Sequence, residues 1–439
     1  MVRIITDCGA SKTLLRSIIN ERIARTSIAM ALINKHEEYV WFFEIDHTNE
    51  FKITKRPSPM LFNVRDWNDG WNYVYIEVKT SDAFAYCDIH DYINPEYINN
   101  IKDKDSDWLL YINNTHEAFL DMPREVYQHI CKKYDIPTNK VVLANGAFDL
   151  LDEAERIATL HDVPVFKIER VMDFEFSHKN TENSMISQSN NVPETLLPSD
   201  IHKTFLCFNR RWRLHRPLLV SCLAANDMLK DGFVSLAPSD DNKNIQNHVP
   251  GENEGGVFQW LEHCCERNTV LDEWITPNKT MIQSLQPMYL DTEDLRTNRA
   301  EFEWGPGYLY AQSLVSVVTE TNYFTSFHKD NTTERSIFFS EKIFKPIAFE
   351  HPFIVVSTPN FLESLKSVDY KTFDGLIDES YDQEPDDFKR MVMIVNEIKR
   401  LINLTPLEKA EFCAKAKPIC KHNKLVLNGR SKFNYKINY

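Results

Sequence analysis

Apolar and polar positions alternate between two rhythms along the chain. "KVVLAN" (Lys140–Asn145) is a short apolar run broken by Gly146, the pattern of a strand buried on both faces. "DLLDEAERIATLH" (Asp149–His161) follows with helical spacing, which predicts Leu150, Leu151, Ala154, Ile157 and Ala158 on one face. "VPVFKIE" (Val163–Glu169) then reads as a returning strand. Strand, helix and strand in this compass form a βαβ unit and imply a parallel sheet. Upstream, "VRIIT" (Val2–Thr6), "EEYVWFFEID" (Glu37–Asp46) and "DWLLYINNTHEAF" (Asp107–Phe119) hold further strand candidates.

A second series begins after a polar stretch. "TFLCF" (Thr204–Phe208), "FVSL" (Phe233–Leu236), "SLVSVVTET" (Ser313–Thr321) and "PFIVV" (Pro352–Val356) read as strands. "PLLVSCLAAN" (Pro217–Asn226) reads as a helix with Pro in its first turn. "DDFKRMVMIVNEIKRLI" (Asp386–Ile402) is amphipathic, with Phe388, Met391, Val392, Val395 and Ile398 along one stripe. The expected fold class is α/β, with two Rossmann-like domains facing across a cleft. The predicted layout is an N-terminal domain over 1–177, a linker over 178–202 and a second domain over 203–402. A basic C-terminal tail over 403–439 is free to pack back on the first domain.

Length supports two domains, because 439 residues exceed one ordinary core. No stretch approaches the ~20 apolar residues of a membrane span, and the N-terminal residues lack a signal-peptide pattern. The nine cysteines are scattered and odd in number, which points to a reducing, cytoplasmic setting rather than a disulfide framework. A net charge of −14 argues against broad charge-driven binding to duplex DNA, since phosphate contacts need clustered Lys and Arg. Only 11 glycines are present and none forms a Gly-rich phosphate loop, so side chains or helix N-termini must hold any phosphate.

Against that acidic background, Ile201–Asn226 inverts the balance. It holds Lys203, Arg210, Arg211, Arg213 and Arg216 and no acid. These residues lie where a predicted strand hands over to a helix, the edge of a parallel sheet where ligands bind. Guanidinium forks match phosphate oxygens; a solvated basic turn is the plain alternative. "SVVTET" delivers Thr319, Glu320 and Thr321 to the same kind of edge, where a carboxylate can accept ribose hydroxyls or merely cap a helix. "SEKIFKPIAFEHPFIVV" places Ser340 as a helix cap and Glu341 and Lys342 in the first turn. An ammonium there opposes the helix dipole unless an anion shares the space. Pro346, six residues past the cap, predicts a bent or late-starting helix.

"FNRRWRLHR", "SVVTET" and "FFSEKIFKPIAFEHPFIVV", in that order, resemble the donor domain of α1,3-fucosyltransferase-like glycosyltransferases, with Ser340 in place of the usual Thr. Continued through "YKTFDGLIDESYD" (Tyr370–Asp382), the pattern is similar to that of phage- and virus-encoded glycosyltransferases. It spans about Lys203 to Ile402. The resemblance implies a GT-B architecture, a nucleotide-diphosphate sugar donor bound by the second domain, an acceptor bound by the first, and no required metal. It implies donor-binding roles for Arg210, Arg211, Arg213, Glu320, Thr321, Glu341 and Lys342. For an inverting transfer the acceptor hydroxyl needs a base. Glu117, with His116 second, is expected there; a Glu opening the next helix is the plain alternative.

The acceptor is expected to be a viral or surface glycan or a modified DNA base, the latter kept open by the basic tail. Two other functions compete. One is a non-catalytic nucleotide- or glycan-binding protein on the same scaffold. The other is a metal-dependent GT-A transferase, for which "FFEID" offers Glu44-x-Asp46 in place of Asp-x-Asp.

Overall fold

The computed structural model describes residues 40–41, 60–61, 63–65, 72–77, 95–114, 120–170, 194–209, 213–236, 256–285, 307–325 and 336–429. The protein is an α/β chain built around two largely parallel sheets. It divides into two compact units. One is Met1–Ser177 with Thr332–Phe338 and Ser431–Tyr439; the other is His178–Asn331 with Phe339–Arg430.

In the first unit, β1 (Val40–Trp41) and β2 (Met60–Leu61) form a small antiparallel pair. The main sheet runs in the order β3 (Asn63–Arg65), β4 (Asn72–Glu77), β5 (Trp108–Asn114), β6 (Val141–Asn145), β7 (Lys167–Arg170). β3 is antiparallel and the rest are parallel. Helix α1 (Pro95–Lys102) precedes β5 and helix α2 (Leu150–His161) follows β6. Their apolar faces and the helical run from Met122 to Tyr134 close on Val74, Leu110, Ile112, Val141 and Leu143. Each such side chain, buried fully, contributes about 1.5–3 kcal/mol. Leu151 departs from the expected stripe and is 42% exposed. Its four companions, Leu150, Ala154, Ile157 and Ala158, cover the sheet without it.

The second sheet has four parallel strands in the order β9 (Gly232–Val234), β8 (Lys203–Cys207), β10 (Ser313–Thr319), β11 (Phe353–Val356). β9 opens on a glycine because a Cβ there would lie 2.3 Å from the buried Phe205 ring of β8. Helix α3 (His215–Ala225) follows β8, and helices α4 (Gly256–Arg267) and α5 (Thr269–Ile275) come before β10. Helix α6 (Glu341–Ala348) precedes β11, and α7 (Phe361–Ser367) and α8 (Asp387–Ile402) follow it. On α8, Phe388, Met391, Val395 and Ile398 are buried as expected, joined by Ile394 and Leu401, whereas Val392 of the expected stripe is only half-buried.

The segment read as a basic tail contains a 24-residue helix, α9 (Pro406–Gly429), which packs against α6 in the second unit. Its Phe412, Cys413, Ala416, Cys420 and Leu427 are buried. The described end of the stretch read as a linker is tied to the same unit: Thr195 Oγ1 donates to the Glu350 carbonyl (2.8 Å), and Glu194 pairs with Lys417 of α9. All described cysteines are free. Among the described residues no helix is long and apolar enough to cross a membrane.

Candidate functional site

Strand order places the site. From β8 the chain steps to β9 on one side, and β10 then lies on the other. The connections leaving β8 and β10 therefore lead to opposite sides, and the carboxyl ends between them are the usual ligand position in such sheets. These two strands carry the arginine-rich segment and Glu320. Their ends are joined where Thr319 Oγ1 donates to Asn209 Oδ1 (2.8 Å).

The first turn of α3 secures the end of β10. Arg216 Nη2 donates to the Thr319 carbonyl (3.0 Å), and His215 Nε2 meets the Glu320 carbonyl (3.0 Å). A carbonyl only accepts, so Nε2 carries the hydrogen. Burial, then the charges of Arg216 and Arg213, push His215 well below its ordinary range, so the ring is neutral. It stacks on Tyr323, with centroids 5.3 Å apart. Burial and the neighbouring Arg213 also lower Arg216, to about 10.

Ser340 is extended (φ −90°, ψ 178°) and its side chain caps α6 by accepting from Lys342 N (3.3 Å). Ile343, Phe344, Ile347 and Ala348 face the core, which leaves Glu341 and Lys342 half-buried on the outer side. Lys342 Nζ reaches Ser340 Oγ (2.9 Å), Thr321 Oγ1 (3.3 Å) and Glu341 Oε1 (3.0 Å). Burial works to raise the Glu341 carboxyl, but the charges of Lys342 and Lys345 and the Lys342 hydrogen bond outweigh it and bring it to about 2. Glu320 differs. It has no exposed surface, and burial raises its carboxyl above the ordinary range despite the opposing Lys342 charge and the Ser340 hydrogen bond.

The expected late start of α6 does not occur, because Ser340 starts the helix at Glu341. Pro346 lies inside it. The ring removes the bond that residue 346 would donate to the Lys342 carbonyl. The ring also crowds that carbonyl, and the helix ends two residues later.

The structure thus brings together Glu320, Thr321, Ser340, Glu341 and Lys342, with Arg213 close enough to depress both His215 and Arg216. Arg210, Arg211, His116 and Glu117 lie outside the described residues, as do Glu44 and Asp46. Sequence reasoning missed His215 as the group that holds the Glu320 backbone; it stood inside the arginine cluster, and a lone His there gave no signal. It also missed Arg390. This buried arginine of α8 donates to the carbonyls of Ser357 (3.1 Å), Glu384 (2.8 Å) and Tyr323 (2.7 Å) and pairs with Asp387 (2.6 Å). Asp387 in turn accepts from Thr325 N (3.0 Å). One side chain therefore ties down the segments leaving both β10 and β11.

A cavity of about 580 Å³ elsewhere in the second unit is lined by Glu363, Lys366, Asp378, Glu379, Asp382 and Arg400 and by none of the expected residues. Its acids serve the framework: Asp382 caps α7 through Leu362 N (2.9 Å), and Glu379 accepts from Thr372 Oγ1 (2.7 Å) and Phe373 N (2.6 Å).

No protein-family model and no curated protein matches the chain. Among solved structures, the N-terminal domain of a trehalose-6-phosphate phosphatase from Candida albicans is similar over 80% of this chain and 75% of that one, at 11% identity and a TM-score of 0.33. A likeness at that level carries no argument about function.

Proposed function

We propose that the protein is a metal-independent glycosyltransferase of GT-B architecture. In this proposal the second unit binds a nucleotide-diphosphate sugar, the first binds a hydroxyl acceptor, and the two face across a cleft. The observation that carries it is the Glu341–Lys342 pair, gathered with Thr321 at the diverging carboxyl ends of β8 and β10. Lys342 and Arg213, with Arg210 and Arg211, neutralise the diphosphate in the donor and as it leaves. Glu341 accepts hydroxyls of the ribose or sugar. In the transfer, the acceptor oxygen bonds to the anomeric carbon as the bond from that carbon to the diphosphate oxygen breaks. The acceptor proton passes to Glu117 or His116, and the nucleoside diphosphate departs with the bonding electrons. A glycan or a modified DNA base serves as acceptor.

The test is nucleotide release from a panel of UDP- and GDP-sugars, with and without EDTA. Release that EDTA leaves unchanged supports the proposal. EDTA-sensitive release favours a metal-dependent transferase, and donor binding without release under any acceptor favours a non-catalytic binding protein. Lys342→Ala is expected to weaken donor binding roughly 10- to 100-fold, the range for one charge-assisted hydrogen bond, while leaving the fold intact. Unchanged donor affinity would remove Lys342 from the site.

A further inference from the structure

Glu320 lies at the proposed donor site, yet its carboxylate faces away from any ligand. Oε2 accepts from Ser340 Oγ (2.5 Å) and Thr321 N (3.2 Å), and Oε1 accepts from Ile343 N (3.2 Å). The side chain is wholly buried. Both oxygens are thus engaged with the start of α6 and with the residue that follows Glu320.

The consequence lies in the hydroxyl between them. Ser340 Oγ has one hydrogen and two lone pairs. Its hydrogen goes to Glu320, so only lone pairs face Lys342, and they receive both Lys342 N (3.3 Å) and Lys342 Nζ (2.9 Å). Lys342 N and Nζ are donors only and keep the hydroxyl hydrogen off their side; the carboxylate gives that hydrogen a fixed partner on the other side and so sets the direction of the lone pairs. The carboxylate also adds to the negative charge of Glu341, which pairs directly with an ammonium placed against the helix dipole. From these contacts we infer that Glu320 is a positioning residue: through Ser340 it holds the Lys342 ammonium at the sheet edge in the orientation that receives an anion. This inference rests on Lys342 being the anion-binding group of the proposed donor site.

Two readouts on the full chain test it. The first needs no ligand. Labelling with an amine-acetylating reagent is followed by mass spectrometry, with the exposed Lys415 as internal reference. Glu320→Gln is expected to raise labelling of Lys342 several-fold relative to Lys415. The second is calorimetric titration with UDP and with GDP. Glu320→Gln should weaken binding about tenfold, the size of one charge-assisted hydrogen bond, and should add no further loss in a Lys342→Ala background. Unchanged Lys342 labelling overturns the inference. So does an equal loss of affinity in both backgrounds, because a merely structural role would act without Lys342. If Glu320→Gln does not fold, Ser340→Ala cuts the same relay from the other side and must raise labelling alike. If the unaltered protein binds neither nucleotide while labelling rises, the donor site is lost and the positioning role stands.

Discussion

The two sheets are both largely parallel, yet among the described strands it is the second sheet whose order reverses. In the first unit, β4, β5, β6 and β7 are laid down one after another in a single direction. The ends of β5 and β6 meet through Asn145 Nδ2 and Asn114 Oδ1 (3.4 Å), and Asn145 Oδ1 accepts from Ala147 N (2.7 Å). Polar side chains there join adjacent strand ends and brace the turn that follows. In the second unit the order reverses about β8, the connections diverge, and charged groups gather instead. Strand order, more than parallelism, decides where a site can form.

The largest expected effect tests how far that edge depends on one buried pair. Arg390→Met leaves Asp387 charged and buried and releases three carbonyls, so urea unfolding should show a loss of about 3–5 kcal/mol. A loss under about 1 kcal/mol would mean that the segments after β10 and β11 hold themselves. A pH effect comes next. Both buried histidines among the described residues belong to the second unit. Burial lowers His351 to about 4, and the neutral ring is held by Ser316 Oγ (2.8 Å) and the Ser313 carbonyl (2.8 Å). The unfolded chain binds this proton near pH 6.5 and the folded chain only near 4. Stability therefore falls as pH drops between those values, by about 1.4 kcal/mol per pH unit for this group. Denaturant titrations at pH 7 and 5 measure the slope. His351→Gln should flatten it by that amount, leaving the contribution of His215 in the same direction.

The smallest effect belongs to the first unit. Lys140 Nζ donates to the Ser106 carbonyl (2.5 Å) at the opposite edge of that sheet, near Asp103, Asp105 and Asp107. Lys140→Met should cost about 1–2 kcal/mol, since it removes one charged donor. Nucleotide titrations should be unchanged in this variant; a loss there would show that the two units are not independent in binding.

Much of the fold could be read locally. Strands buried on both faces read as near-continuous apolar runs, and "TFLCF", "SLVSVVTET" and "PFIVV" lie within a residue or two of β8, β10 and β11, with the buried Ser313, Ser316 and Thr319 interrupting the run in β10. The cap at Ser340 was legible because capping depends on neighbours in sequence. Helix α9 was not, because its many lysines disguised the buried spacing of Phe412, Ala416 and Cys420. Arg390 gave no signal, since an arginine on an amphipathic helix reads as solvated until its carbonyl partners are known.

By itself, then, the sequence determined the parts: two series of strands and helices, a basic segment after one strand, a Glu after another, and a Glu–Lys pair opening a helix. These follow from periodicity and capping, which act over a few residues. Only the tertiary structure decided that Glu320 turns to Ser340, twenty positions away, and that Lys342 is held between Ser340 and Thr321. Burial makes an unpartnered charge costly, and which partner answers it depends on strand order and packing between distant segments.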